Sequence, residues 1–318
     1  MIERRLFVHA VFLTLAPIAV AWFGLSVSGA FFLVLLLLLW RWVIVLSGFA
    51  LPEKTPELVL ASISASHFVE KVRWCMDRLG VDYVEQPSGG TLGAFFRGRT
   101  VPQLKMRTGS VQSSLGNSAE ILRYLWGRYA VEGPEVARFL EPTKERVELE
   151  ARLDRYGVNL QVWVYYHVLH DRALTLHVWG ANNPATPTWQ RWALKLLFPL
   201  LRFLIRKSFR ITEASYQRAV SHIDELLAEL SGRLEDGRKS LLGGDTVNYT
   251  DFAFAAMTGL WLMPPGYGGG KAEAVRFERD KAPADMQRDT AAWASAYPAS
   301  ISFVEQLYAE ERTTSGAS

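Results

Sequence analysis

The most marked pattern of apolar and polar positions lies at the start of the chain. Residues 6–25 (LFVHAVFLTLAPIAVAWFGL) are almost wholly apolar. After the break Ser26-Val27-Ser28-Gly29, a second apolar run, AFFLVLLLLLWRWVIVLSGF, continues to Phe49. Each run has about the 20 residues that span hydrocarbon. A helix packed on a soluble core would carry a polar stripe, whereas the second run is interrupted only by Arg41, Ser47 and Gly48. The pattern predicts two antiparallel transmembrane helices over residues 1–50, joined by a short uncharged turn. Arg4 and Arg5 precede the first run, and the positive-inside tendency places both ends, and the rest of the chain, in the cytoplasm of a bacterial inner membrane. His9 and Arg41 then lie toward the cytoplasmic face, where polar side chains snorkel. A cleaved signal peptide is the alternative: Met1 to Arg5, the apolar run and Ser28-Gly29-Ala30 follow that pattern too. Cleavage would leave the second run as a lone anchor.

After a linker at 51–56 the periodicity changes. Glu57-Leu-Val-Leu-Ala-Ser62 reads as a buried strand. Phe68 to Leu79 alternates apolar and charged residues at helical spacing and is closed by Gly80. Val81 to Glu85 and Thr100 to Met106 read as strands, and a polar turn at Arg107 to Ser110 leads into Val111-Gln112-Ser113. A helix follows from Ser118 to about Arg128. Proline is unusual inside a strand, so Pro102 marks a special position. Beyond Pro142 helical patterns take over, at 143–171, 187–209, 213–234, 250–262 and 284–312. Asn248 and Asp251 have the spacing of a capping box, and Pro264 to Gly270 (PPGYGGG) predicts an irregular loop. The architecture read from this order is an α/β unit over 57–130, an all-helical unit over 140–312 and a flexible tail at 313–318.

Composition narrows the function classes. The part beyond the apolar runs is long enough for one large or two small domains with a real core. Net charge is only +3, with basic residues mostly interleaved with acids, which argues against a nucleic-acid surface. The single cysteine, Cys75, excludes an internal disulfide and a cysteine metal cluster and suits a reducing cytoplasm. His167 and His170 are three apart but lack a matching set of ligands, so no metal is expected. Trp189 to Arg210 carries six basic residues and no acid among dense apolar ones. It reads as a helix either buried with basic ends or lying on anionic lipid.

Three segments carry the candidate chemistry. Ser64-Ala-Ser-His-Phe-Val-Glu-Lys-Val-Arg-Trp74 puts Ser66 where a helix begins. Serine is a good N-cap there, and the unpaired amides and the helix dipole favour an adjacent anion such as a thiolate. The second segment is Val101-Pro102-Gln103-Leu104, and the third is Asn117-Ser118-Ala-Glu-Ile-Leu-Arg-Tyr-Leu125. In this order and at this spacing they resemble the soluble glutathione transferase family, the match running from Glu57 to about Arg312.

That resemblance implies a thioredoxin-like glutathione-binding domain followed by an all-helical domain. It implies that Ser66 donates a hydrogen bond to the glutathione sulfur, and that Val101, before a cis Pro102, pairs with the cysteinyl backbone. Ser118, with Asn117 beside it, would bind the γ-glutamyl carboxylate at a helix N-terminus. The family usually has Glu or Gln where Asn117 stands, and commonly proline where His67 stands. His67 is left with two roles, a glutathione contact or a surface position in the first helical turn. Trp163, Tyr166, His167 and His170 fall on a helix that in the family borders the acceptor pocket, as substrate wall or as core. With Ser66 and Val69 in place of a Cys-x-x-Cys pair, dithiol exchange is excluded.

The function expected from these readings is a membrane-anchored glutathione transferase of serine type, using glutathione as co-substrate in detoxifying attack on a hydrophobic electrophile. Glutathione, a small hydrophobic molecule and membrane lipid are the expected partners. The resemblance also implies a homodimer through the first domain. The alternatives are a non-catalytic membrane adaptor built on the same fold, or a glutathione-dependent lyase, isomerase or dehalogenase.

Overall fold

The computed structural model describes residues 27–49, 56–90, 92, 101–108, 111–276 and 281–312. The chain divides into two compact units, residues 1–57 with 106–113 and residues 58–105 with 114–318. The first unit holds helix α1 (Val27–Phe49). The first apolar run, residues 6–25, lies outside the described residues.

The expected membrane placement is corrected here: among the described residues no helix is long and apolar enough to cross a membrane. α1 runs from Val27 to Phe49 with a charged residue, Arg41, within its length. Among the described residues neither the transmembrane hairpin nor the inner-membrane, cytoplasm-facing orientation built on it is supported.

After α1 come β1 (Glu57–Ser62), α2 (His67–Arg78) and β2 (Tyr83–Pro87). β1 and β2 pair in parallel, from Leu58 opposite Tyr83 to Ser62 opposite Pro87. A parallel pair needs a crossover connection, and α2 supplies it. β3 (Gln103–Thr108) and β4 (Val111–Gly116) follow, completing a mixed four-stranded sheet in the order β2-β1-β3-β4. Leu58, Leu60 and Ala61 of β1 and Leu104 of β3 are core residues. α3 (Ser118–Tyr129) packs on α2.

The rest is helical. A short α4 (Pro134–Ala137) leads to α5 (Lys144–Val168), then α6 (Arg172–Val178), α7 (Thr188–Leu196), α8 (Phe198–Ser208), α9 (Glu213–Leu234) and α10 (Tyr249–Leu262). α11 (Ala284–Ala296) and α12 (Pro298–Glu310) close the fold. Two stretches with one continuous pattern are broken by proline, at Pro199 and at Pro298. Proline has no N–H to donate and is tolerated only in a first turn, so each starts a new helix instead. α6 is absent from the sequence-based expectation: it is seven residues long and is capped by the Asp171 side chain, which accepts from Leu174 N at 3.0 Å.

α10 is the centre of the helical part, with every residue buried. Its start is the expected capping box: Asn248 Oδ1 accepts from Thr250 N at 3.0 Å, and Asp251 Oδ2 accepts from Asn248 N at 2.8 Å. α10 packs on both α2 and α5, so α2 is covered on faces that its charged residues would otherwise leave to water. Glu70, Lys71 and Arg73 are fully buried. Each is paired, as buried charge demands: Arg73 with Glu70 (2.8 Å) and Glu85 (2.7 Å), Arg312 with Glu70 (2.8 Å), and Lys71 with Glu150 (2.8 Å). The basic stretch at 189–210 buries Leu194, Phe198, Leu201 and Ile205 and leaves Trp192, Leu196 and Phe203 exposed.

Candidate functional site

Ser66 caps α2. Its backbone N–H donates to Ile63 O at 2.9 Å, and its Oγ accepts from Val69 N at 3.4 Å. A hydroxyl that accepts in this way keeps its own hydrogen for another acceptor. Ser66 is half-buried, so that hydrogen is within reach of a ligand beside the turn.

The Val101–Pro102 peptide bond is cis, just before β3. Asn117 and Ser118 follow directly after β4. Strands that are sheet neighbours and separated by only two residues must run antiparallel. The residues before β3 and after β4 therefore lie toward the same end of the sheet. Ser66 follows the C-terminal end of β1, the neighbour of β3.

Asn117 and Ser118 divide the work at the N-terminus of α3. Asn117 is exposed, in the left-handed region at φ 72°, and its Oδ1 accepts from Ala119 N at 3.1 Å. Its carboxamide oxygen is thus spent on its own helix. Ser118 is buried, 2% exposed, and its Oγ has no hydrogen-bond partner among the described residues. Buried hydroxyls are usually bonded, and this one stands among the free amides of a helix start, where anions bind.

His67 does not face the site. It is buried, and its Nε2 lies 3.0 Å from the carbonyl oxygen of Gly157 on α5. Burial pushes its pKa down to about 4 against the opposing pull of that carbonyl. Near neutral pH the ring is uncharged and donates to Gly157. Both roles left open by the sequence, glutathione contact and surface position, give way to a contact within the chain.

The four candidates for an acceptor wall separate. Trp163 Nε1 donates to Asp289 Oδ2 at 2.7 Å, and His167 Nε2 is 3.2 Å from the same oxygen. Tyr216 O–H donates to it as well, at 2.8 Å. Burial pushes the Asp289 carboxyl up, but these donors outweigh it and hold its pKa below the ordinary value. Tyr166 stacks on Tyr216 at 4.1 Å between centroids and donates to Glu213. His170 is exposed, and its pKa is lowered by partial burial and by Arg202 and Arg206. Trp163, Tyr166 and His167 thus join a packed polar-aromatic cluster with Asp289 and Tyr216. Among the described residues no group of three or more His, Cys, Asp or Glu could hold a metal ion.

A different group forms an apolar cavity of ≈ 20 Å³ next to the Ser66 turn: Ala65, Val164 of α5, Val178 of α6, Leu260 and Met263 at the end of α10, Tyr267, Ala272, Val275, Arg276 and Met286 of α11. Arg276 contributes little polarity, because its Nη2 donates to Met263 O at 2.6 Å and its Nη1 lies 3.5 Å from Glu273. Sequence reading finds the helices of Val164, Leu260 and Met286. The remaining wall comes from a short helix and a glycine-rich loop whose only sequence signal is the irregular PPGYGGG segment.

No curated protein matches the chain. Among solved structures it is similar to a glutathione S-transferase from Methylobacterium radiotolerans in complex with glutathione sulfonate. The TM-score is 0.47 and the identity 16%, over 82% of this chain and 97% of that one. It is also similar to maleylacetoacetate isomerase from Anaeromyxobacter dehalogenans with bound GSH, at TM-score 0.43 and 16% identity, over 81% of this chain and 93% of that one. Neither likeness bears on this chain's chemistry. Residues 213–299, from α9 into α12, match the family model described as glutathione S-transferase, C-terminal domain, and in that stretch the chain is similar to that family.

Proposed function

We propose that this chain binds glutathione at the end of the sheet shared by Val101 and Ser118, and activates its thiol at Ser66 for attack on a small apolar electrophile. The observation that carries the reading is the Ser118 hydroxyl. It is buried and without a partner among the described residues, at the start of a twelve-residue helix. A carboxylate such as that of a γ-glutamyl group would supply the missing acceptor.

The chemistry follows from Ser66. The glutathione thiol releases its proton to water, and the thiolate is stabilised by the Ser66 O–H and by the amide dipoles of α2. The sulfur lone pair then forms the C–S bond as the leaving group departs with its bonding electrons. The apolar cavity beside Ala65 would receive the electrophile. Its lining of almost wholly apolar side chains suits an apolar group rather than a charged one.

Calorimetry with glutathione on the full chain tests the binding step, and conjugation by Ser66→Ala tests the chemistry. The expected result is binding that survives the substitution and turnover that does not. No binding at millimolar glutathione rejects the reading. It would favour a non-catalytic adaptor, which draws support from Asn117 and His67, whose side chains are already engaged within the chain. Where glutathione binds, product analysis separates conjugation from isomerisation, elimination or dehalogenation.

A further inference from the structure

The peptide unit joining Ala65 to Ser66 is held at both of its polar ends. Its N–H, from Ser66, donates to Ile63 O at 2.9 Å. Its carbonyl, from Ala65, accepts from the hydroxyl of Tyr267 at 3.2 Å, across 202 residues of sequence. A peptide unit is planar, so fixing both groups fixes the plane from which the Ser66 side chain departs. The other restraint on Oγ is the bond from Val69 N, at 3.4 Å long and weak.

Tyr267 belongs to a tightly folded loop whose conformation requires glycine. Gly268 and Gly269 have φ of 75° and 59°, a region costly for residues with a side chain. Space forbids a side chain as well. A β-carbon at Gly268 would meet Ala272 Cβ at 2.5 Å, and one at Gly269 would meet Arg312 Nη2 at 2.5 Å. Arg312 Nε in turn binds Glu70 Oε1 at 2.8 Å, on the helix that Ser66 caps. The loop carrying Tyr267 and the helix beginning at Ser66 therefore close on the same buried guanidinium.

We propose that Tyr267 is a positioning residue, orienting the Ser66 hydroxyl through the Ala65 carbonyl. Its ring also lines the apolar cavity, which makes the aim of the serine responsive to what fills that cavity. The inference rests on the reading that Ser66 acts on the glutathione thiol.

Tyr267→Phe keeps the ring and removes only the hydroxyl. The pKa of the bound glutathione thiol should rise by about half a unit, and kcat should fall about five-fold, the weight of one neutral hydrogen bond. Glutathione affinity and the KM for the electrophile should stay within about two-fold, since the variant keeps every other contact. Tyr308→Phe is the control, because the Tyr308 hydroxyl is buried without a partner among the described residues. It should leave the thiol titration unchanged. A thiol titration in Tyr267→Phe identical to that of the unmodified chain overturns the inference, as does an equal shift in both variants. An unmodified chain that does not bind glutathione removes the underlying reading and this inference with it.

Discussion

His67 Nε2 lies 3.0 Å from Gly157 O, ninety positions apart in sequence, and the contact joins α2 to α5 where the Ser66 turn begins. Burial holds the ring neutral with its pKa at about 4. The unfolded chain takes up a proton near pH 6.5, so between those values the unfolded state binds more protons and stability rises with pH. The contribution is present above about pH 6.5 and lost as pH falls toward about 4, and by the linkage relation it is worth about 3 kcal/mol. Urea unfolding from pH 4 to 7 should show that slope, and His67→Gln should flatten it. A slope unchanged by the substitution would remove His67 as its source.

Gly157→Ala should destabilise the chain by about 1 to 3 kcal/mol, the usual cost of overpacking. A β-carbon there would stand 2.7 Å from Met257 Sδ, 2.8 Å from Phe68 Cζ and 3.1 Å from His67 Nε2. Thermal unfolding measures it, and an unchanged midpoint would show that α5 shifts freely at this point.

Buried Arg73 and half-buried Glu85, 2.7 Å apart, make a further stability prediction. Arg73→Met leaves fully buried Glu70 with Arg312 and half-buried Glu85 with Lys271 at 3.2 Å, and breaking a buried pair costs about 3 to 5 kcal/mol. Adding Glu85→Gln should recover part of that loss. Burial raises the Glu85 pKa, but Arg73 outweighs it and holds the carboxyl at about 2. Its contribution is therefore complete above the ordinary carboxylate range and lost between about pH 4.5 and about pH 2, a window below that of His67.

Ser118→Ala separates folding from binding. The hydroxyl has no partner among the described residues, so its removal should shift stability by less than about 0.5 kcal/mol. Glutathione affinity should fall about ten-fold, the weight of one hydrogen bond to a carboxylate. Equal affinity in the two proteins would take Ser118 out of the site.

Val178→Phe tests the cavity. Val178 is half-buried on its wall, so a larger ring should occupy the space without touching Ser118 or Val101. The KM for an apolar electrophile should rise at least ten-fold, with glutathione affinity unchanged. A uniform fall in both would mean that the substitution disturbs the fold rather than the pocket.

Much of the site's framework was legible because it is local. Ser66 as N-cap, the special position of Pro102, the helix start at Ser118 and the capping box at Asn248 and Asp251 all follow from spacing and backbone chemistry within a few residues. The partners of Trp163, Tyr166 and His167 were not legible. Trp163, Tyr166 and His167 share a helix face with a pattern that suits a pocket, but Asp289, more than a hundred residues later, draws two of them into a cluster. The burial of Lys71 and Arg73 was equally hidden, since a charged helix face reads as solvated until α10 covers it.

By itself the sequence determined the strand order after residue 56, the longer helices and the helix caps, because these depend on φ, ψ and hydrogen bonds between near neighbours; the breaks at Pro199 and Pro298 and the short α6 emerged only in the structure. Tertiary structure decided where side chains of mixed character go. His67 turned to Gly157, Tyr267 reached the Ala65 carbonyl, and Arg312 returned to Glu70, each a contact across ninety or more residues. A histidine, a tyrosine or an arginine carries both apolar and polar atoms, so its own pattern does not choose a partner. The choice falls to whichever distant group completes its hydrogen bonds once water is gone.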